Sequence, residues 1–280
     1  MRPVAIATTG GDALDPDWQL LRDALNVEGC AAELCVWDDD TIEWESYELV
    51  VIRSTWDYTK DRVGFLSWAR AIPDLLNRYP VIEYSTDKHY LADLAARGHS
   101  IVPTTFCDVG ESATFPPRSF VVKPTVGAGS MDADRYGPHE HDRALDHVAR
   151  LHESGRDAMI QPYVSSIDTA GERALVFIDG QFSHALTKGA MLNVAEVDRN
   201  AHFRRRQMTT ATPEAESLAF AEAILAEPLF DDLLYARADL VHTDEGWAVM
   251  ELELVEPSLF LTFDDYAAGK LASAIRRRLN

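Results

Sequence analysis

Apolar residues fall in short blocks along the first third of the chain, separated by segments of helical period. Val4 to Thr8 is a strand-like run that ends at Gly10-Gly11. Asp17 to Glu28 carries Leu21 and Leu25 at helical spacing and stops at Gly29. Leu34 to Trp37 reads as a second strand, Leu49 to Ile52 as a third, and Arg62 to Ile72 as a helix. The run Leu49-Val50-Val51-Ile52 lacks polar alternation, as a strand covered on both faces does. Alternating strand and helix predict an α/β arrangement, a small parallel sheet covered by helices. Ligands of such sheets sit at the carboxyl ends of the strands. Two loops take that position here: Thr8-Thr9-Gly10-Gly11 and Arg53-Ser54-Thr55-Trp56-Asp57-Tyr58.

Beyond a helix at Asp87 to Arg97 the pattern changes. Ser119 to Lys123 is a strand that opens into a glycine-rich loop, Glu140 to His152 a helix, and Ala158 to Gln161 a strand. Glu172 to Ile178 and Gln181 to Thr187 flank Asp179-Gly180, a two-residue hairpin signal. Glu214 to Ala226 and Tyr266 to Arg278 read as helices. Between them, Leu234 to Val241 and Trp247 to Val255 form a second hairpin around Asp244-Glu245-Gly246. Residues 189 to 212, with Asn193, Arg199 and Arg204-Arg205-Arg206, show no period and are expected to be a mobile lid.

With 280 residues, 46 % of them hydrophobic, the chain has enough apolar material for more than one lobe. A net charge of −20 repels phosphate backbones and anionic lipid, so neither nucleic acid nor a membrane is an expected partner. The three cysteines form no CxxC and fit no disulfide framework; they read as small buried hydrophobes in a reducing compartment. The first strand starts at once, with no secretory leader, and no apolar run approaches a membrane span, so a cytoplasmic protein is expected. His139 and His141 lack a partner cluster and are not read as a zinc site.

Three segments carry candidate chemistry. In the second hairpin Arg237 and Asp239 share one face, as do Glu251 and Glu253. A turn centred on Glu245 sets Asp239 opposite Glu251 and Arg237 opposite Glu253. Three carboxylates on one patch repel unless neutralised. Oxygen ligands of this kind suit Mg²⁺ completed by nucleotide phosphates; a solvent-facing strand of mixed charge is the alternative. In the second segment, Lys123 precedes a loop containing Gly127, Gly129 and Ser130, where backbone N–H groups can approach phosphate oxygens. No GK[ST] follows, so this is not a Walker A loop. The third, Gln161-Pro162-Tyr163-Val164, is a strand broken by proline, whose freed backbone groups can meet an adenine edge; Asp168 follows within reach of a ribose. An edge strand that simply ends at proline is the alternative there.

Taken in order, these pieces resemble the ATP-grasp enzymes from about residue 85 onward. Lys88 stands where that family keeps a phosphate-contacting lysine, and Lys123 with Gly127, Gly129 and Ser130 matches its second lysine and flap. Gln161, Tyr163 and Val164 match its adenine hinge, Asp168 its ribose-binding acid, and Arg237, Asp239, Glu251 and Glu253 its closing hairpin. Many members have asparagine where this chain has Glu253. The resemblance implies an N-terminal Rossmann-like, substrate-binding lobe over 1–86, a central lobe over 87–160 and a C-terminal lobe over 161–280. It also implies ATP and one or two Mg²⁺ ions, for which Mn²⁺ can substitute. Asp239, Glu251 and Glu253 would be the metal ligands, Arg237 would face the transferred phosphate, and Lys188 and Arg173, also catalytic, would reach either the γ-phosphate or the substrate carboxylate.

Arg53 to Tyr58 and the ending Glu251 to Ser258 are similar to a narrower group that includes the cycloserine-forming ligase of antibiotic biosynthesis. This implies phosphorylation of a carboxylate followed by ring closure, with O-ureido-D-serine as substrate and D-cycloserine as product. The amino-acid-like substrate would be gripped by Arg53, Asp57, Tyr58, Glu256 and Ser258, and a homo-oligomer is expected. A two-substrate carboxylate–amine ligase shares every ATP residue, and a non-catalytic nucleotide-binding module is a third class.

Overall fold

The structure is a computed structural model, and it describes residues 3–10, 15–190 and 208–279. Val4–Thr8 (β1) pairs in parallel with Ala32–Val36 (β2) and Leu49–Ser54 (β3), and β3 with Leu75–Leu76 (β4), giving the order β2-β1-β3-β4. Alternation along β1 decides what covers each side. Val4 and Ile6 pack with Leu21 and Leu25 of α1 (Trp18–Val27), while Ala5 and Ala7 pack with Phe65 and Ala69 of α2 (Arg62–Ala71). Each large aliphatic buried this way contributes about 1.5–3 kcal/mol. Asp61 caps α2 by accepting the N–H of Gly64.

Short helices at Tyr79–Ser85 (α3) and Tyr90–Ala96 (α4) lead to an antiparallel sheet of order β5-β8-β6-β7. Its strands are Thr105–Cys107 (β5), Phe120–Pro124 (β6), Asp134–Tyr136 (β7) and Ala158–Pro162 (β8). Ala144, Val148 and Leu151 of α5 (His141–Glu153) cover it. After a one-turn helix at Ile167–Ala170 (α6) comes the largest sheet, order β11-β10-β9-β12-β13. It is built from Glu172–Ile178 (β9), Gln181–Lys188 (β10), Met208–Ala211 (β11), Tyr235–Thr243 (β12) and Gly246–Glu253 (β13).

One face of this sheet, with Leu175, Phe177, Ala238, Leu240 and Leu252, buries against α4 and Ala215–Leu225 (α7). The other face changes character along its length. Val176, Ile178 and Tyr235 pack on Ala267–Arg278 (α8), and the positions beyond them carry Glu172, Arg237, Asp239 and Glu251. That transition is where the charged site begins.

The strands and helices expected from periodicity are present, with ends displaced by a few residues; the helix expected from Asp87 begins at Tyr90. The short elements β4, β5, β7 and α3 are too brief to show a period. β11 corrects the reading of 189–212 as wholly structureless, because Met208 to Ala211 pair with Lys188 to Ala185. Gly11, and Asn193, Arg199 and Arg204 to Arg206 within the expected lid, lie outside the described residues. The three cysteines are buried and free, and among the described residues no helix is long and apolar enough to cross a membrane.

A buried polar seam joins the parallel sheet to the hairpin of β12 and β13. Asn77, left-handed at φ 50°, donates through Nδ2 to the carbonyls of Tyr235 (2.8 Å) and Leu254 (2.7 Å), and accepts the N–H of Leu234 at 2.9 Å. The Tyr235 hydroxyl donates to the carbonyls of Ile52 and Val255, and Trp56 Nε1 donates to that of Glu256. Asn77→Ala strips partners from three buried backbone groups, each worth about 1–3 kcal/mol when orphaned. We expect it to lower unfolding stability by about 2–4 kcal/mol in urea titration; an unchanged midpoint would remove the seam's structural role.

Candidate active site

The pairing of β12 with β13 depends on a bulge. The turn is Asp244-Glu245, and Thr243 faces Gly246, which alone would set Asp239 opposite Met250. A register shift between Asp239 and Leu240 takes up Met250, so Asp239 faces Glu251 and Arg237 faces Glu253. The pairing expected from a three-residue turn is therefore reached by a two-residue turn plus one extra residue. β9 and β10 repeat the device. Their register shifts between Phe182 and His184, which places Glu172 opposite Lys188 and Arg173 opposite Thr187. Gly171 (φ +70°) permits the entry to β9, because a Cβ there would lie 2.5 Å from Thr187 Cγ2 and 2.7 Å from the Lys188 carbonyl.

These registers assemble a network of opposite charges. Asp239, 1 % exposed, is gripped by Arg237 through Nε and Nη2, each at 2.9 Å. Arg237 Nη2 also binds Glu253, and Nη1 donates to the Ser258 carbonyl at 2.8 Å. Lys188 bridges Asp239 (2.6 Å) and Glu172. Lys123 binds Glu251 at 2.8 Å, and Lys88 donates to the Gly127 carbonyl at 2.8 Å.

Four carboxylates thus meet Arg237, Lys188 and Lys123. Burial works against ionising all of them, but it is overcome at two. Lys123 and Lys88 hold Glu251 well below the usual carboxylate range, and Arg237 and Lys188 hold Asp239 below it. Burial prevails elsewhere, pushing Glu172 up to about 7 against the pull of Lys188 and raising Glu253, to which Asp239 and Glu251 add. Oxygens of Asp239, Glu251 and Glu253 lie within 4.8 Å of one another. An all-carboxylate set with excess acid fits a hard divalent cation.

On the facing lobe, β6 delivers Lys123 to this network and opens into the glycine loop. Gly127 sits where a Cβ would press on Pro124 at 3.1 Å, and Gly129 (φ +62°) and Ser130 (φ 59°) are both left-handed. β8 leads to the expected hinge. The side chain of Gln161 is buried and donates to Thr104 Oγ1 at 2.9 Å. The N–H of Tyr163 already meets the Ser119 carbonyl at 2.8 Å, and that of Ile167 meets Val164. The Tyr163 hydroxyl donates to Asp168, and Arg135 lies 3.5 Å over the Tyr163 ring and 3.8 Å from Asp168.

Several expected residues are not brought to the cluster. Arg53 is buried in an ion pair with Asp15 (2.8 Å) and donates to the Pro257 carbonyl, which makes it part of the seam rather than a free anion grip. Tyr58 is core, stacked on Phe65 at 5.0 Å. Asp57 accepts from Trp37 Nε1 at 3.0 Å. Arg173 projects from the opposite face of β9, to Glu214 at 2.9 Å and to Thr187. Glu256 and Ser258 do adjoin the cluster, the latter through its carbonyl. Glu172, a member that sequence reasoning missed, depends on the β10 bulge for its place, and Arg135 precedes no recognisable motif.

The family described as D-cycloserine synthetase DcsG, N-terminal domain, matches residues 4–78. The cycloserine biosynthesis protein DcsG of Streptomyces lavendulae is 37 % identical over 287 residues, covering 95 % of each chain. Among solved structures, D-cycloserine synthetase DcsG superposes with a TM-score of 0.87 at 35 % identity over 99 % of both chains. A RimK domain ATP-grasp protein from Sphaerobacter thermophilus superposes with a TM-score of 0.66 at 17 % identity, over 97 % of this chain and 98 % of that one. The fold is ATP-grasp.

Glu256 links the cluster to stability. Burial, with Glu253 adding and Lys88 opposing, pushes its carboxyl from 4.5 up to about 8. Its contribution is therefore complete below pH 4.5 and is lost as pH rises toward 8. We expect Glu256→Gln to match the parent near pH 4.5 and to exceed it by on the order of 1 kcal/mol at pH 8. Urea titrations at the two pH values check this, and an equal difference at both would contradict it.

Proposed function

We propose, for a chain that belongs to the D-cycloserine synthetase DcsG family, that its reaction is the Mg²⁺-dependent cyclisation of O-ureido-D-serine. The chain is an ATP-dependent carbon–nitrogen ligase. In the proposed reaction ATP phosphorylates the substrate carboxylate, and the substrate's own ureido nitrogen displaces phosphate to close the ring. Hydrolysis of the carbamoyl part, which leaves as carbon dioxide and ammonia, gives D-cycloserine, with ADP and phosphate released.

The observation that carries this reading is the ionic network of Arg237, Lys188 and Lys123 with the hairpin acids, in a chain so similar to a cycloserine synthetase along its length. Asp239, Glu251 and Glu253 would hold one or two Mg²⁺ ions, with Mn²⁺ an acceptable substitute. When bound, the metal supplies neutralisation of charge on the phosphoryl group. Phosphoryl transfer asks the protein mainly for positioning and opposite charge. Lys88, Lys123 and the amides of Gly127 to Ser130 would take the phosphates, and Lys188 and Arg237 the transferring end. Backbone groups of Tyr163 and Val164 would meet adenine, and Asp168 the ribose, once Arg135 and the Tyr163 hydroxyl yield it. The amino-acid substrate would lie between the carboxyl ends of β1 and β3 and the segment Glu256 to Ser258, where its carboxylate can meet Arg237. Excluding water there would protect the acyl phosphate.

The test is ADP release from Mg-ATP with O-ureido-D-serine as sole added substrate, with products read by mass. ADP and D-cycloserine in equal amounts are expected. No ADP with that substrate, but ADP with a pair of amino acids, would move the function to two-substrate amide formation. Lys123→Ala should lower turnover by about 100-fold or more, the scale of removing one preorganised charge-stabilising donor. Glu251→Ala should abolish the Mg²⁺-dependent rate. Full activity of either variant would show that the network is only structural.

A further inference from the structure

The segment that follows β13 is held from several sides. Arg53 donates to the carbonyl of Pro257, Arg237 to that of Ser258, and His184 Nε2 lies 2.9 Å from that of Leu259. Asp17 accepts the N–H of Leu261 at 2.8 Å. Between these fixed points Phe260 adopts φ 53°, ψ 41°, the left-handed region that a bulky side chain rarely enters. Such a conformation persists where its surroundings over-determine it. It sets the Phe260 ring against Arg237, whose guanidinium carbon lies 5.1 Å from the ring centroid, with Phe263 edge-on at 6.3 Å. The same guanidinium is fixed at Nε and Nη2 by Asp239 and at Nη1 by Ser258, so the ring meets it across a face that hydrogen bonds do not hold.

We propose that Phe260 is a positioning residue for Arg237, its aromatic face holding the guanidinium in orientation when the acid partners turn to other charges. The claim rests on the reading of Arg237 as the arginine that faces the transferring phosphoryl group. A cation over a ring is attracted by the ring's negative face and needs no specific hydrogen-bond geometry. That contact survives an exchange of partners at Asp239 and Glu253, whereas the carboxylate bonds do not. Backbone strain at Phe260 is then the means by which the ring reaches a position that an extended or helical residue would not give it.

Two variants separate this from a packing role. Phe260→Asn accepts left-handed backbone, so it folds, and has no ring; Phe260→Tyr keeps the ring. We expect F260N to lower kcat by about 10-fold, with KM for ATP changed by no more than about twofold, and F260Y to recover most of the loss. In parallel, exchange of the Arg237 Nε–H proton with solvent, followed by ¹⁵N NMR, should quicken by about 10-fold in F260N and stay near the parent rate in F260Y. Unchanged kcat in F260N, equal losses in both variants, or a kcat loss without faster exchange would each overturn the proposal. If the parent protein itself released no ADP, the functional reading would fall, and the exchange rates alone would still decide whether Phe260 orders Arg237.

Discussion

Asp239 is a fully buried carboxylate, and everything around it follows from having to neutralise it. Breaking one partner from a buried ion pair typically costs several kcal/mol, because the remaining charge stays desolvated. Asp239 is therefore doubly answered, by the bidentate Arg237 and by Lys188, and each of these cations is in turn tied to a second acid. The cations are themselves buried, yet the acids hold Lys188 and Arg237 firmly in their charged forms. Acids still outnumber cations, and the excess shows as the raised carboxyls of Glu172 and Glu253. A site in this state satisfies its own charges while keeping an excess of acid that suits a divalent cation. In the proposed reaction, binding a triphosphate with its metal would be an exchange: lysines and arginine would pass from carboxylate to phosphate, and carboxylates from ammonium to metal.

Such an exchange needs a frame that does not move with it. Asn77, Tyr235, Trp56 and Arg53 supply one, tying the parallel sheet to the backbone of the closing hairpin and its continuation through Pro257. These bonds end on backbone carbonyls or a backbone N–H, so they fix chain path rather than side-chain charge. Of these four residues, Arg53 is the one expected from sequence to contact substrate. Arg53 has its carboxylate partner already, in Asp15.

Much of the fold was legible because its long elements obey simple periods: apolar blocks for β1 and β3, helical spacing for α1, and Asp179-Gly180 for the turn of β9 and β10. That Asp239 and Glu251 face one another was legible because strand alternation and the position of the turn set their faces. What stayed hidden were the bulges. A one-residue bulge near Ser183 decides whether Glu172 or Gly171 meets Lys188, and no local preference marks that position. Met250 likewise bulges inside a strand of ordinary composition. Burial was the second blind spot. Arg53 and Tyr58 have the right chemistry to bind a ligand, but the fold uses them within its interior, a distinction that requires knowing where Asp15 and Phe65 lie.

Exchange of partners, as proposed, would make metal and nucleotide binding interdependent. Thermal unfolding with Mg²⁺ alone, with a non-hydrolysable ATP analogue alone, and with both together measures that dependence directly. Partner exchange predicts stabilisation by the pair in excess of the sum of the separate effects, a coupling of about 1–3 kcal/mol. Strictly additive effects, or the full effect from Mg²⁺ alone, would contradict it, because the hairpin acids would then bind metal without first giving up their lysine and arginine partners.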